Sequence, residues 1–186
     1  MPIAEIAEGK LRCFYSTLEP LPESFTKEDA LQFNSVVQAV FRQADVIPFR
    51  FPTLLRSQLE LRQFLQEKSA EYGAALEKLA NLVQMELRIF SAADASTAAH
   101  FSGKKYLEVR LATKRKMQST AACARKAAGD LCLAWQDRET RHGLRCYALV
   151  KRAHAVEFKQ RMKSLALADE VNVLVSGPWP ATEFIE

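Results

Sequence analysis

Seven side chains in this sequence are of the types that do nucleophilic or metal chemistry: Cys13, Cys123, Cys132, Cys146, His100, His142 and His154. A metal site needs several such groups at short spacing, for example two cysteines three apart or two histidines one helical turn apart. No histidine here stands at i+3 or i+4 from another ligand type in such a pattern, and no C-x-x-C pair occurs. No metal is expected. Cys146 and His154 could meet if a strand and a helix packed suitably, and a thiolate beside an imidazole base is a nucleophile. That mechanism also needs an oxyanion site, for which the sequence offers nothing. Phosphate chemistry is no better supported, because G-x-x-x-x-G-K-[ST] is absent and six glycines leave no dinucleotide fingerprint. The expectation is a protein without catalytic residues or cofactor.

Charge offers a different kind of chemistry. Residues 1–100 carry 10 Lys+Arg against 13 Asp+Glu, whereas residues 101–186 carry 16 against 9. A basic half can attract nucleic acid, an anionic membrane or an acidic protein. The densest run is Lys114-Arg115-Lys116, with Lys104, Lys105, Arg110, Arg125 and Lys126 nearby. On a helix these charges spread over more than one face, so a solvated surface is the default reading. A surface for an acidic partner ranks second and a phosphate-binding stripe third.

At 186 residues the chain can bury a core without disulfides or metal. Its scattered cysteines fit small apolar residues kept reduced in the cytosol. No stretch approaches the roughly 20 apolar residues of a membrane helix, and the start MPIAEIAEGK lacks a secretory h-region. A soluble, cytoplasmic protein is expected.

The elements that must position these groups follow from periodicity. Leu11–Tyr15 is a short apolar strand, and Thr26 with Asp29 forms a variant capping box ahead of a helix over 27–44. Phe33, Val36, Val37, Val40 and Phe41 give that helix its buried face. Val46–Phe51 alternates like a strand, at an edge or bulge because Pro48 cannot donate. Over 54–80, Leu61, Leu65, Tyr72, Leu76 and Leu79 fall at coiled-coil spacing, interrupted by Lys68. Met85, Leu87 and Ile89 alternate with polar residues as a strand. Residues 91–102 read as a linker.

A second long helix is expected from Lys104 to Gln136, with a seam of Leu107, Leu111, Ala121, Ala124, Ala128, Leu131 and Trp135. Its alanines would let the helix over 54–80 approach closely. Gly129 would cost it about 1 kcal/mol. Leu144–Lys151 is a strand, Val156, Met162 and Leu165 mark a short helix, and Val171–Ser176 is a strand. Gly177-Pro178-Trp179-Pro180 then stops regular structure. The order implies α+β lobes joined by long helices.

Two segments are more specific than the rest. In VIPFRF (46–51), Pro48, Arg50 and Phe51 combine a fixed turn, a charge and an aromatic. Arg50 either pairs with a carboxylate between the lobes or is a plain surface charge. In SGPWPATEF (176–184), Gly177, Pro178, Trp179, Pro180 and Phe184 hold an indole on a stiff backbone. That tail either docks on the protein's own core or offers Trp179 and Phe184 to a partner.

On these two segments the sequence resembles the gas vesicle GvpF/GvpL family. FNSVVQAVFRQADVIPFRFPTLL (33–55) is similar to its helix, apolar strand and R-F-G-T-like turn opening a long helix. VNVLVSGPWPATEF (171–184) is similar to its G-P-W-P-P-Y-x-F ending. The leucine-rich helix, the MELRIF strand and the GKKYLEVR helix start lie between them in the family's order. Pro52 replaces the usual glycine, Ala181-Thr182 replaces Pro-Tyr, and the N-terminal part is short. The resemblance implies an α+β fold of two lobes, residues 1–53 and 54–186. The first would be an abbreviated ferredoxin-like lobe and the second an α+β lobe, joined by long paired helices. It also implies a gas-vesicle-associated accessory protein that binds the shell protein GvpA and other accessory proteins, without membrane insertion, catalysis or cofactor. Self-association stays open. A nucleic-acid-binding or regulatory module using the basic half is the alternative.

Overall fold

The computed structural model describes residues 2–91, 103–165 and 171–185. The chain is α+β and forms two compact units, Met1–Ala80 with Ile185–Glu186, and Asn81–Phe184. This division falls after the first long helix, whereas the sequence reading divides the chain before it, at 53/54. The reason is packing: that helix belongs to the core of the first unit.

The first unit opens with an antiparallel hairpin of β1 (Ala4–Glu8) and β2 (Leu11–Tyr15), in which Ile6 faces Cys13. β1 was not expected, although Gly9 at φ 57° in the turn is the residue such a reversal favours. Helix α1 (Lys27–Phe41) begins with a full capping box: the Asp29 N–H donates to Thr26 Oγ1 at 3.2 Å, and the Thr26 N–H donates to Asp29 Oδ2 at 2.8 Å. It ends three residues short of the expected Ala44. Helix α2 (Gln58–Lys78) is capped by Ser57, whose hydroxyl accepts from the Glu60 N–H. Leu61 and Leu65 of α2 close on Ile6 and Cys13, with Tyr15, Phe49 and Phe64 around them.

Val46–Phe51 forms no strand. Pro48 inside it and Pro52 just after it cannot donate ladder hydrogen bonds, and the segment has no strand partner.

The second unit is a four-stranded antiparallel sheet in the order β4-β5-β3-β6. The strands are β3 (Leu82–Ser91), β4 (Cys132–Thr140), β5 (Gly143–Lys151) and β6 (Val171–Trp179). Helices α3 (Gly103–Ala128) and α4 (Ala155–Lys163) pack on one face of it. Val83, Met85, Leu87 and Ile89 alternate onto that face, opposite Val150, Ala148, Cys146 and Leu144 of β5. Ala121, Ala124 and Ala128 of α3, and Phe158 and Met162 of α4, complete the core.

The second long helix ends at Ala128, not Gln136. Gly129 takes φ 51°, the left-handed geometry that ends helices, and the chain then enters β4. Leu131 is buried in the 3-10 turn Gly129–Leu131 and Trp135 lies in β4, so their four-residue spacing only imitates a helical seam. Leu107 and Leu111 are exposed, as no residue of α3 before Thr120 is buried. The expected linker lies outside the described residues except for Ser91, which closes β3.

Candidate functional site

The two segments singled out by sequence belong to different units, and each is built into its own. In the first unit Phe49 and Phe51 meet different neighbours. The Phe51 ring meets Phe25 at 5.4 Å and Phe33 at 5.3 Å between centroids. Phe49 meets Phe64 at 5.8 Å and Tyr72 at 6.5 Å. The segment thus ties the α1 side of the unit to α2 through edge and tilted ring contacts, each adding roughly 0.5–1.5 kcal/mol beyond area burial. Pro48 is half-buried. Arg50, between the two rings, is exposed, and its carbonyl accepts from Thr53 Oγ1 at 2.5 Å. Among the described residues its guanidinium makes no ion pair.

In the second unit the expected stop at Gly177 is a continuation. β6 runs on to Trp179, with one extra residue inserted between the pairs Glu86–Ser176 and Gln84–Trp179. Gly177 and Pro178 occupy that bulge, where a missing donor does least harm. Gly177 has φ 113°, and a side-chain carbon there would stand 2.9 Å from the Gln84 carbonyl oxygen. Only glycine suits this position.

Beyond the bulge the tail docks on its own unit. The Trp179 indole N–H donates to Ser176 Oγ at 3.2 Å, and Pro180, Ala181 and Phe184 are buried. The Glu183 N–H donates to Gln84 Oε1 at 3.0 Å, and Arg138 grips the Glu183 carboxylate with both terminal nitrogens, at 3.2 and 2.5 Å. Arg138 also lies over the Tyr147 ring, 5.6 Å from its centroid. Arg138 escaped the sequence reading because its partner is 45 residues away and only the sheet brings the two together.

Cys146 is wholly buried on the helix-covered face. Burial, and then the neighbouring Asp137 carboxylate, push its thiol far up from the ordinary range, the wrong direction for a nucleophile. His154 stands in the short turn after β5. Among the described residues no group of three or more His, Cys, Asp or Glu is placed to hold a metal, and no helix is long and apolar enough to cross a membrane. In the basic run on α3, Lys114 is already bound to Glu139 at 2.8 Å.

A family model described as gas vesicle synthesis protein GvpL/GvpF matches residues 2–186. The fold is similar to that of the gas vesicle protein GvpF from Microcystis aeruginosa, with a TM-score of 0.75 over 100% of this chain and 89% of that one, at 12% identity. It is similar also to GvpF from Anabaena sp. PCC7120, with a TM-score of 0.75 over 99% of this chain and 85% of that one, at 14% identity. At such identities the likeness concerns the fold. No curated protein matches the chain.

Proposed function

The chain belongs to the GvpL/GvpF family of gas vesicle synthesis proteins, and on that premise we propose that it binds the shell protein GvpA, fellow accessory proteins, or both during vesicle nucleation. As a family member it is an accessory protein of gas vesicle assembly and not an enzyme. The observation that carries the reading is the family match over residues 2–186. A cytoplasmic, vesicle-associated location belongs to the same proposal, as does the abbreviated ferredoxin-like character of the first lobe.

A very apolar shell subunit needs a soluble partner that shields it until it is incorporated. A surface suited to that task follows the Phe51 anchor: Leu54, Leu55 and Leu59 are 49%, 39% and 65% exposed. In this proposal Phe51, Pro48, Gly177, Pro180 and Phe184 hold backbone in place, while Arg50 and the half-exposed Trp179 are free to touch a partner.

The test is capture of purified GvpA by the immobilised full chain at low and moderate salt. Retention at micromolar concentration is expected, with loss of most of it in Leu54→Ser/Leu55→Ser/Leu59→Ser. No retention of either GvpA or accessory proteins from the same gene cluster would overturn the reading.

A further inference from the structure

The face of the sheet turned away from α3 and α4 carries arginines in a row. Arg138 of β4 is the register partner of Arg145 of β5, which is the partner of Arg88 of β3, which is the partner of Leu174 of β6. Like charges directly opposite one another across strands are unfavourable, so a row of three needs a compensating cause. Glu86 supplies part of it. Its side chain is only 11% exposed, and one oxygen, Oε1, lies 2.9 Å from Arg88 Nε and 3.6 Å from Arg145 Nε. Glu183 of the tail takes Arg138.

The manner of this pairing matters. Glu86 holds both guanidinium groups by their inner Nε edges. Each group presents five N–H donors in a fixed fork, so the terminal nitrogens of Arg88 and Arg145 remain available. Among the described residues they have no partner. Adjacent strands run about 4.8 Å apart, so the two forks stand side by side at a spacing that a carboxylate can bridge. Beside them Leu174 and Phe90 are 53% and 39% exposed.

We propose that Arg88 and Arg145, oriented by the buried Glu86 and flanked by Leu174 and Phe90, form a docking site for an acidic peptide segment of a partner protein, in which a carboxylate sits next to an apolar side chain. Charge complementarity selects that occupant. The row holds three arginines and two glutamates, a net charge of +1, which suits one or two carboxylates. A nucleic-acid backbone draws its affinity from several uncompensated cations, which this row lacks. Leu174 and Phe90 favour a peptide for a second reason, since they offer apolar contact to a neighbouring side chain. The proposal rests on the reading of the chain as a protein-binding assembly factor and assigns one face to that work.

The experiment measures fluorescence anisotropy of a short labelled peptide of alternating glutamate and leucine titrated with the full chain. A lysine–leucine peptide and a single-stranded thymidine oligonucleotide serve as comparisons. Arg88→Lys/Arg145→Lys keeps a positive partner for Glu86 but removes the forks, and Leu174→Ser alters an exposed position. Both variants are expected to keep the wild-type circular dichroism spectrum. The first should weaken the glutamate peptide about tenfold and the second about threefold, with the lysine peptide not binding. Equal affinity of the acidic peptide for the unaltered chain and both variants would overturn the site, as would equal binding of the lysine peptide, or preference for the oligonucleotide. GvpA capture is scored separately. Retained capture with peptide binding indifferent to these substitutions sinks this site alone, whereas lost capture with substitution-sensitive peptide binding sinks the shell-protein reading and leaves the site.

Discussion

The two compact units solve the same problem with different means. Asn81–Phe184 stacks a four-stranded sheet under two helices, and the largest wholly buried side chains, Phe158, Met85, Leu87 and Ile89, all belong to it. Met1–Ala80 closes a hairpin and α2 over Ile6, Cys13, Leu61 and Leu65, and relies on half-buried rings for the rest. Hydrophobic stabilisation scales with the apolar area removed from water, so the second unit is the stable body and the first the yielding one. The contrast bears on the proposed roles as well. A thin core with exposed leucines beside it suits contact with an apolar partner, whereas a rigid sheet can hold charges at a fixed spacing.

The sharpest way to break this comparison is at the core of the second unit. Phe158→Ala empties a fully buried site and should cost about 3–5 kcal/mol, read as a lower urea midpoint for that unit. Next comes Gly143→Ala. Its φ is 142°, and the added carbon would stand 2.2 Å from the Ile89 carbonyl oxygen, so the β4–β5 hairpin must shift. A loss on the order of 2–4 kcal/mol is expected, with β5 amides losing hydrogen-exchange protection.

Phe51→Ala is the matching test in the first unit. Because the ring is half-buried, a smaller loss of about 1–3 kcal/mol should follow, confined by hydrogen exchange to residues before Asn81. A loss spread evenly over both units would erase the distinction drawn between them. Arg138→Gln should cost no more than about 1 kcal/mol, because the side chain is 59% exposed, and should loosen only the tail amides near Glu183.

The smallest effect concerns acid. The Thr26 backbone N–H, followed by its hydroxyl, holds the Asp29 carboxyl below its ordinary value. A depressed folded value means the contribution is present above the unfolded carboxylate range, near about pH 4, and is lost as pH falls through the folded value. Asp29→Asn should flatten that part of the acid profile of helicity, its small loss appearing at neutral pH and vanishing at low pH.

Much of the architecture was legible because burial writes a period into the chain. Val83, Met85, Leu87 and Ile89 alternate without interruption, and β3 was expected where it lies. β4 was not, because a bulge at Cys132/Ala134 breaks its alternation, while Leu131 in the turn before it stands at helical spacing from Trp135. The strand expected at Val46–Phe51 had the right alternation but no neighbour to pair with, which is a property of the assembled fold. The tail residues were flagged for their stiffness, and their docking depends on Arg138 and Gln84, which only the sheet brings near. Glu86, Arg88 and Arg145 gave no local signal at all, since their proximity is a matter of strand register.

Hydrogen exchange of the full chain with and without purified GvpA tests the central claim most directly. If shell subunits dock beside the Phe51 anchor, amides across residues 51–61 should gain protection on addition of GvpA, and Leu54→Ser/Leu55→Ser/Leu59→Ser should abolish the gain. Unchanged exchange over residues 51–61 at saturating GvpA would contradict it.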